Sequence, residues 1–245
     1  MNYSNQNEYY NYNEEIYQEK QDDVKEEIEV NIRLGFIRKV YGILTVQLLF
    51  TSLFTLWCMM SDSLKIFMLQ NRYLYYLVIF LELFIIIVMI CFRGVSRSVP
   101  INYILLGIFT LLESYIVGFI CSFSNPKYVF MAACMTFIIT AFLTLYAIMT
   151  KTDITKKGAI LFILSGALLS FVIFNFFFRI KILHVIICCF GIIIVGFYIV
   201  YDTQIIIGKK KEVLSVDDYI LGSFLLYTDI ISLFLYILSL FNSSD

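Results

Sequence analysis

The chain has 245 residues, 60% of them hydrophobic and 18% aromatic, with only 2 prolines and a mean hydropathy of +0.85. A soluble globule of this size cannot bury so much apolar surface, so the composition excludes a water-soluble domain and points to an all-α polytopic membrane protein. The formal net charge is −1, and the charges gather in the N-terminal stretch and in short loops, which leaves no basic face for nucleic acid.

Residues 1–31 (MNYSNQNEYYNYNEEIYQEKQDDVKEEIEVN) are rich in Asn, Tyr and Glu and lack apolar periodicity, so a disordered cytosolic tail is expected there. The first apolar run begins near Phe36, behind that polar leader, and is expected to act as an uncleaved signal anchor rather than a removable signal peptide. Seven segments then have the length and apolarity to cross a ~30 Å hydrocarbon layer. They lie near 36–60, 73–92, 101–124, 128–149, 158–178, 182–207 and 217–241. Short connections between them predict one bundle domain over 32–245. The last segment carries polar interruptions and is also compatible with a re-entrant helix.

The basic residues sort by side. The tail and the even-numbered exits hold Lys20, Lys25, Arg33, Arg38, Lys39, Arg93, Arg97, Lys151, Lys156, Lys157, Lys209, Lys210 and Lys211; the other side holds Lys65, Arg72, Lys127, Arg179 and Lys181. Thirteen against five predicts a cytosolic N-terminus by the positive-inside rule.

Two acids stand out against this apolar background. Asp202 closes the run GIIIVGFYIVYDTQIII, and Asp229 sits inside YILGSFLLYTDIISLFLYILSLF. A carboxylate at membrane depth is costly unless paired, hydrated or protonated, and such acids mark ion paths or proton switches. The loop between the two spans ends in SVDD, where Ser215 and Asp218 have the spacing of an N-cap and capping box. Asp229 lies ~16 Å along its helix from Asp218, and Asp202 ~8 Å back from the loop. Antiparallel neighbours would therefore hold the two carboxyls within a turn or two of each other in depth, which makes a direct or water-bridged contact feasible. Steps of three and four from Asp229 reach Asp218, Gly222, Ser232 and Tyr236; from Asp202 they reach Tyr198, Gly191, Cys188 and His184. A structural aspartate, hydrogen-bonded to a Tyr or Ser, is the alternative for either acid.

Glu113, in LLGIFTLLESYIVGFI, and Glu82, in YLVIFLELFIIIV, are further intramembrane acids that could line a pore or answer an Arg from a neighbouring span. Arg93 and Arg97, at the cytosolic end of the second span, lie level with Asp202; either could reach the acid pair, or both could be ordinary positive-inside flanks. His184 reads as an interfacial residue. The 6 cysteines all fall in or beside apolar spans without metal-ligand spacing, so neither a disulfide nor a zinc site is expected. No Ser/His pair and no HExxH motif occur, and an enzyme is not expected. A remote alternative is an intramembrane aspartyl protease of the presenilin type, but LYTD stands where GxGD would be needed and no Pro-Ala-Leu follows.

Five stretches in order, FIRKVYGILTVQLLFTS, PINYILLGIFTLLESYIVGFICSF, AFLTLYAIMTKTDIT, YDTQIIIG and SVDDYILGSFLLYTDIISLFLYIL, resemble the transmembrane BAX inhibitor motif family, especially its Lifeguard branch. The resemblance implies six helices wrapped around a central C-terminal seventh. It implies a calcium leak sensitive to pH, in endoplasmic reticulum or Golgi membranes with the plasma membrane as an alternative, and suppression of stress-induced cell death. The family's di-aspartyl sensor would fall on Asp202 and Asp229, and its latch arginine on Arg97 or Arg93. This chain departs at Ser96-Arg97, where paired arginines are usual, at Thr228 and Ser232 beside Asp229, and in the KKKE loop.

The expected mechanism is a proton shared by the two aspartates that closes the contact between spans six and seven. Loss of that proton, or of the latch, would separate the helices and expose oxygens to Ca²⁺, a hard cation held transiently near Asp202 and Asp229. No cofactor is expected; membrane lipids, calcium ions and membrane proteins of death or stress signalling are the expected partners. The alternative is a non-conducting scaffold that regulates such signalling through contacts.

Overall fold

A computed structural model describes the backbone of residues 3–208, 214–215 and 217–243, and the side chains among these from Lys20 onward except Asp22, Asp23, Glu26, Arg93 and Lys156. Every regular element in this part is helical: α1 (Tyr3–Met60), α2 (Asp62–Gln70), α3 (Arg72–Cys91), α4 (Arg93–Arg97), α5 (Ile101–Ser122), α6 (Pro126–Met149), a 3₁₀ turn (Ile154–Lys157), α7 (Gly158–Phe178), α8 (Lys181–Ile207) and α9 (Tyr219–Asn242). Seven of these, α1, α3 and α5 to α9, are long and apolar enough to span a bilayer. The protein is an all-α polytopic membrane bundle. The last segment is one unbroken helix of 24 residues, ~36 Å long, enough for a full crossing.

Helix α1 runs without a break through the stretch whose composition suggests a disordered tail. The described side chains from Lys20 to Ile32 are all exposed, and the packed part begins at Phe36. Below that point Phe36, Val40 and Leu44, four residues apart, form a buried stripe. Upstream of it Val24, Ile28 and Ile32, also four residues apart, stay exposed, with none of them packed against another helix.

Local signals set the other ends. Asn125 caps α6, its Oδ1 accepting from the Lys127 N–H at 3.0 Å, with Pro126 in the first turn. Gly208 ends α8 in the left-handed region, φ 94°, where a Cβ is unfavourable.

The C-terminal helix is the central one. It packs against α1, α5, α6 and α8 and buries residues around most of its circumference, including Phe224, Tyr227, Ile231 and Leu238. Helices α3 and α7 lie outside, chiefly on α5 and α8. They bury narrow stripes (Val78, Ile85 and Met89; Leu161 and Leu168) and expose side chains such as Phe80 and Phe162, as lipid-facing helices do. Helices α8 and α9 approach closely at Gly191, where a Cβ would stand 2.7 Å from the Tyr236 ring.

Candidate functional site

Asp202 lies one turn before the end of α8, 6% exposed and among the fully buried Thr203, Gln204 and Ile206. Three anchors hold this helix end. Gln204 donates from Nε2 to the Thr152 carbonyl and accepts at Oε1 from the Ile154 N–H, both at 2.9 Å, which ties α8 to the connection between α6 and α7. Arg33 of α1 donates from Nη2 to the Ile205 carbonyl and from Nη1 to the Leu214 carbonyl at 3.2 Å. A cation on the last carbonyls of a helix satisfies groups that the helix itself leaves open. The third anchor is Gly208, whose missing Cβ makes room for the Arg33 guanidinium.

Asp229 sits midway along α9, half-buried on the side facing α8. The structure brings the two carboxyls within hydrogen-bonding reach of each other. An ionised carboxylate only accepts, so a hydrogen bond between these two groups requires a proton on one of them. Among the described residues no Lys or Arg forms an ion pair with either acid. Oδ2 of Asp229 is buried without a hydrogen-bond partner there.

Arg97 is placed elsewhere. Its Nε donates to Asp218 Oδ1 at 2.6 Å and its Nη2 to Asp218 Oδ2 at 2.8 Å, a two-pronged ion pair between α4 and the start of α9. Nη2 also reaches Ser215 Oγ at 3.3 Å. Burial would push the Asp218 carboxyl up, but the bonds from Arg97 and Ser215 outweigh it and hold the group below the usual carboxylate range. The same pairing holds the Arg97 guanidinium above its ordinary value. The structure therefore does not bring Arg97 to the Asp202–Asp229 pair. The short α4 sits beyond the end of α3, level with the first residues of α9, and a nearer carboxylate takes the cation. Arg93's side chain, like Lys209, Lys210 and Lys211, lies outside the described residues.

The reading of Ser215 as an N-cap needs correction. The Asp218 side chain does reach back, accepting from the Ser215 N–H at 2.9 Å and Oγ at 3.0 Å. The helix starts only at Tyr219, with Asp218 in the N-cap position and its side chain making no cap bond to the first turn. Ser215 thus belongs to the turn that aims Asp218 at Arg97.

Glu113, 8% exposed on α5, has its carboxyl within hydrogen-bonding reach of Glu82 on α3. The structure thus holds a second acid pair. A polar thread not anticipated from sequence runs beside it between α1, α5 and α9. Gln47 Nε2 donates to Thr110 Oγ1 at 3.0 Å; Thr51 Oγ1 meets Ser114 Oγ at 2.9 Å and the Tyr227 hydroxyl at 2.7 Å. Gln47, Thr51 and Thr55 recur every four residues on α1, a visible signal for a buried polar stripe. His184, near the opposite end of α8, bonds through Nε2 to Ser239 Oγ at 2.9 Å.

The family described as inhibitor of apoptosis-promoting Bax1 matches residues 33–245. The chain is 31% identical over 220 residues to human protein lifeguard 3, spanning 87% of this chain and 70% of that protein. The mouse lifeguard 3 is likewise 31% identical over 221 residues, 87% and 71% of the two chains. Protein LIFEGUARD 2 of Arabidopsis thaliana is 34% identical over 221 residues, 87% of this chain and 90% of that one.

Proposed function

Because the chain belongs to the Bax-inhibitor family of membrane proteins, with Lifeguard proteins among its relatives, we propose that it is a calcium-leak pathway of an intracellular membrane that restrains cell death, gated by the Asp202–Asp229 carboxyl pair. The observation that carries this reading is the carboxyl contact across the α8–α9 interface, without a basic partner among the described residues. One shared proton bridges the two helices. Its loss leaves like charges in contact, and at 4 Å with an effective dielectric near 20 their repulsion is about 4 kcal/mol. That repulsion opposes the α8–α9 packing and turns carboxylate oxygens toward a hard cation such as Ca²⁺. Calcium is then a permeant ion held transiently, and no cofactor takes part.

The distribution of Lys and Arg supports a cytosolic N-terminus, which puts the Arg97–Asp218 pair on the cytosolic face and the acid pair in the cytosolic half of the membrane. Glu113 and Glu82 extend the acidic lining toward mid-depth. Endoplasmic reticulum or Golgi is the host membrane on this reading, with the plasma membrane as the alternative. Conduction is favoured over hydrolysis because LYTD replaces the GxGD that an intramembrane aspartyl protease uses.

A second reading, a non-conducting scaffold for death or stress signalling, draws on the exposed helical stretch upstream of Phe36, where Val24 and Ile28 face outward four residues apart. Purified protein in liposomes with an entrapped calcium dye separates the two. The leak reading predicts calcium entry well above protein-free liposomes. Flux no higher than in those liposomes would leave the scaffold.

A further inference from the structure

At the end of the bundle far from Arg97 and Asp218, the chain turns from α7 into α8 at Arg179. This residue ends α7 in the left-handed region, φ 51° and ψ 43°, a position where glycine is the usual choice. It is the one non-glycine among the described residues with positive φ. A strained cation in place of an unstrained glycine is an observation that asks for a role. Arg179 lines a cavity of about 390 Å³ together with Lys181, His184, Ser239, Asn242 and Ser243. This membrane side carries only five of the 18 Lys and Arg, and two of those five converge here. Among the described residues neither Arg179 nor Lys181 forms an ion pair with a carboxylate. The first turn of α8 has no acidic residue and no side-chain cap, so it adds its own partial positive charge.

A second cavity of about 380 Å³ adjoins the first along α9. Ser239 and Asn242 line both, and the second continues past Ile120, Leu235 and Tyr236 to Ser232. A cationic, hydrogen-bonding mouth at the membrane boundary therefore opens into a largely apolar cleft that runs into the bilayer depth. That is the shape of one amphiphile. We propose that this is a binding site for a phospholipid with an anionic headgroup. Its phosphate oxygens sit at Arg179, Lys181 and the α8 N-terminus, and one acyl chain lies in the cleft along α9. A free phosphate shares the headgroup chemistry but has no use for the cleft. The site stands whether or not the protein conducts calcium.

Native mass spectrometry of the full chain in a neutral detergent, titrated with phosphatidylglycerol, phosphatidylcholine of the same chains, and glycerol phosphate, tests this. The wild type should bind one phosphatidylglycerol at least fivefold tighter than phosphatidylcholine, and glycerol phosphate far more weakly than either lipid. Arg179→Gly together with Lys181→Gln should abolish the preference for phosphatidylglycerol, while Lys65→Gln with Arg72→Gln, on the same membrane side, should leave it. Arg179→Gly suits the left-handed turn, so the variant should melt no lower than the wild type; loss of preference is then not a folding defect. Leu235→Trp, which fills the cleft, should weaken both lipids. Equal phosphatidylglycerol binding by the wild type and the Arg179/Lys181 variant would overturn the proposal. So would glycerol phosphate binding as tightly as the lipid.

Discussion

Arg97 and Asp218 form two parallel hydrogen bonds, 2.6 Å and 2.8 Å long, that pin the short helix after the second span to the start of the last one. The cation that would otherwise compete for the buried aspartates is thereby committed to a third acid. The Asp202–Asp229 pair has no such cationic partner among the described residues.

For the ion pair the sign follows from the Asp218 carboxyl, held below its usual range by Arg97 and Ser215. A carboxyl depressed in the folded state stabilises above its unfolded value of about 3.9, and that stability is lost as pH falls through the lower, folded value. Between pH 5 and 8 the pair is therefore constant. Asp218→Asn should lower the thermal midpoint by an amount corresponding to about 1 kcal/mol, discounted for the exposed side of the arginine, and by the same amount at pH 5.5 and pH 7.5. A loss confined to one of those pH values would contradict it.

Gly208 turns the end of α8 at φ 94° with the Arg33 Nε only 2.8 Å from where a Cβ would be. Gly208→Ala meets both the left-handed penalty of about 1–2 kcal/mol and the guanidinium. Thermal melting in detergent should show clear destabilisation. Gly42→Ala, with nothing within 4 Å of its Cβ, should show none.

Gly191 and Tyr236 test the close approach of α8 and α9. Gly191→Ala puts a methyl 2.7 Å from the Tyr236 ring and should cost about 1–3 kcal/mol by overpacking. Combining it with Tyr236→Ala should recover part of that loss in the same melting assay. Strict additivity of the two changes would argue against the contact.

The thread through Thr51 gives a ranking. Thr51→Val removes the 2.7 Å partner of the buried Tyr227 hydroxyl and a partner of Ser114, so about 1–3 kcal/mol is expected. Tyr227→Phe leaves Thr51 still bonded to Ser114 and to the Gln47 carbonyl and should cost less. The reverse order in melting temperatures would show that ring packing, not the hydroxyl, dominates at Tyr227.

Much of this architecture is legible in the sequence because lipid imposes a simple rule: long apolar runs must be helices. Runs such as 158–178 coincide with α7 end to end. Asp202 and Asp229 stand out for the same reason, each being a charge without local compensation. What does not show is who meets whom across the bundle. Arg33 reaches a carbonyl 172 positions away, and Glu82 meets Glu113 only because α3 leans on α5. Arg97 looks free to serve the buried acids because Asp218 resembles an ordinary cap. Its true partner depends on a turn at Ser215 that spacing alone does not define. The four-residue rhythm of Gln47, Thr51 and Thr55 is readable, but its meaning comes from Ser114 and Tyr227 on other helices.

The central claim is that the carboxyl pair between α8 and α9 sets the pH response of a calcium leak. The direct measurement is calcium entry into dye-loaded liposomes between pH 5.5 and 8, comparing wild type with Asp202→Asn, Asp229→Asn and the double variant. The wild type should change its flux with pH, rising as the shared proton is lost, and each Asn variant should flatten that profile. Variants that keep the wild-type flux and its full pH dependence would contradict the claim.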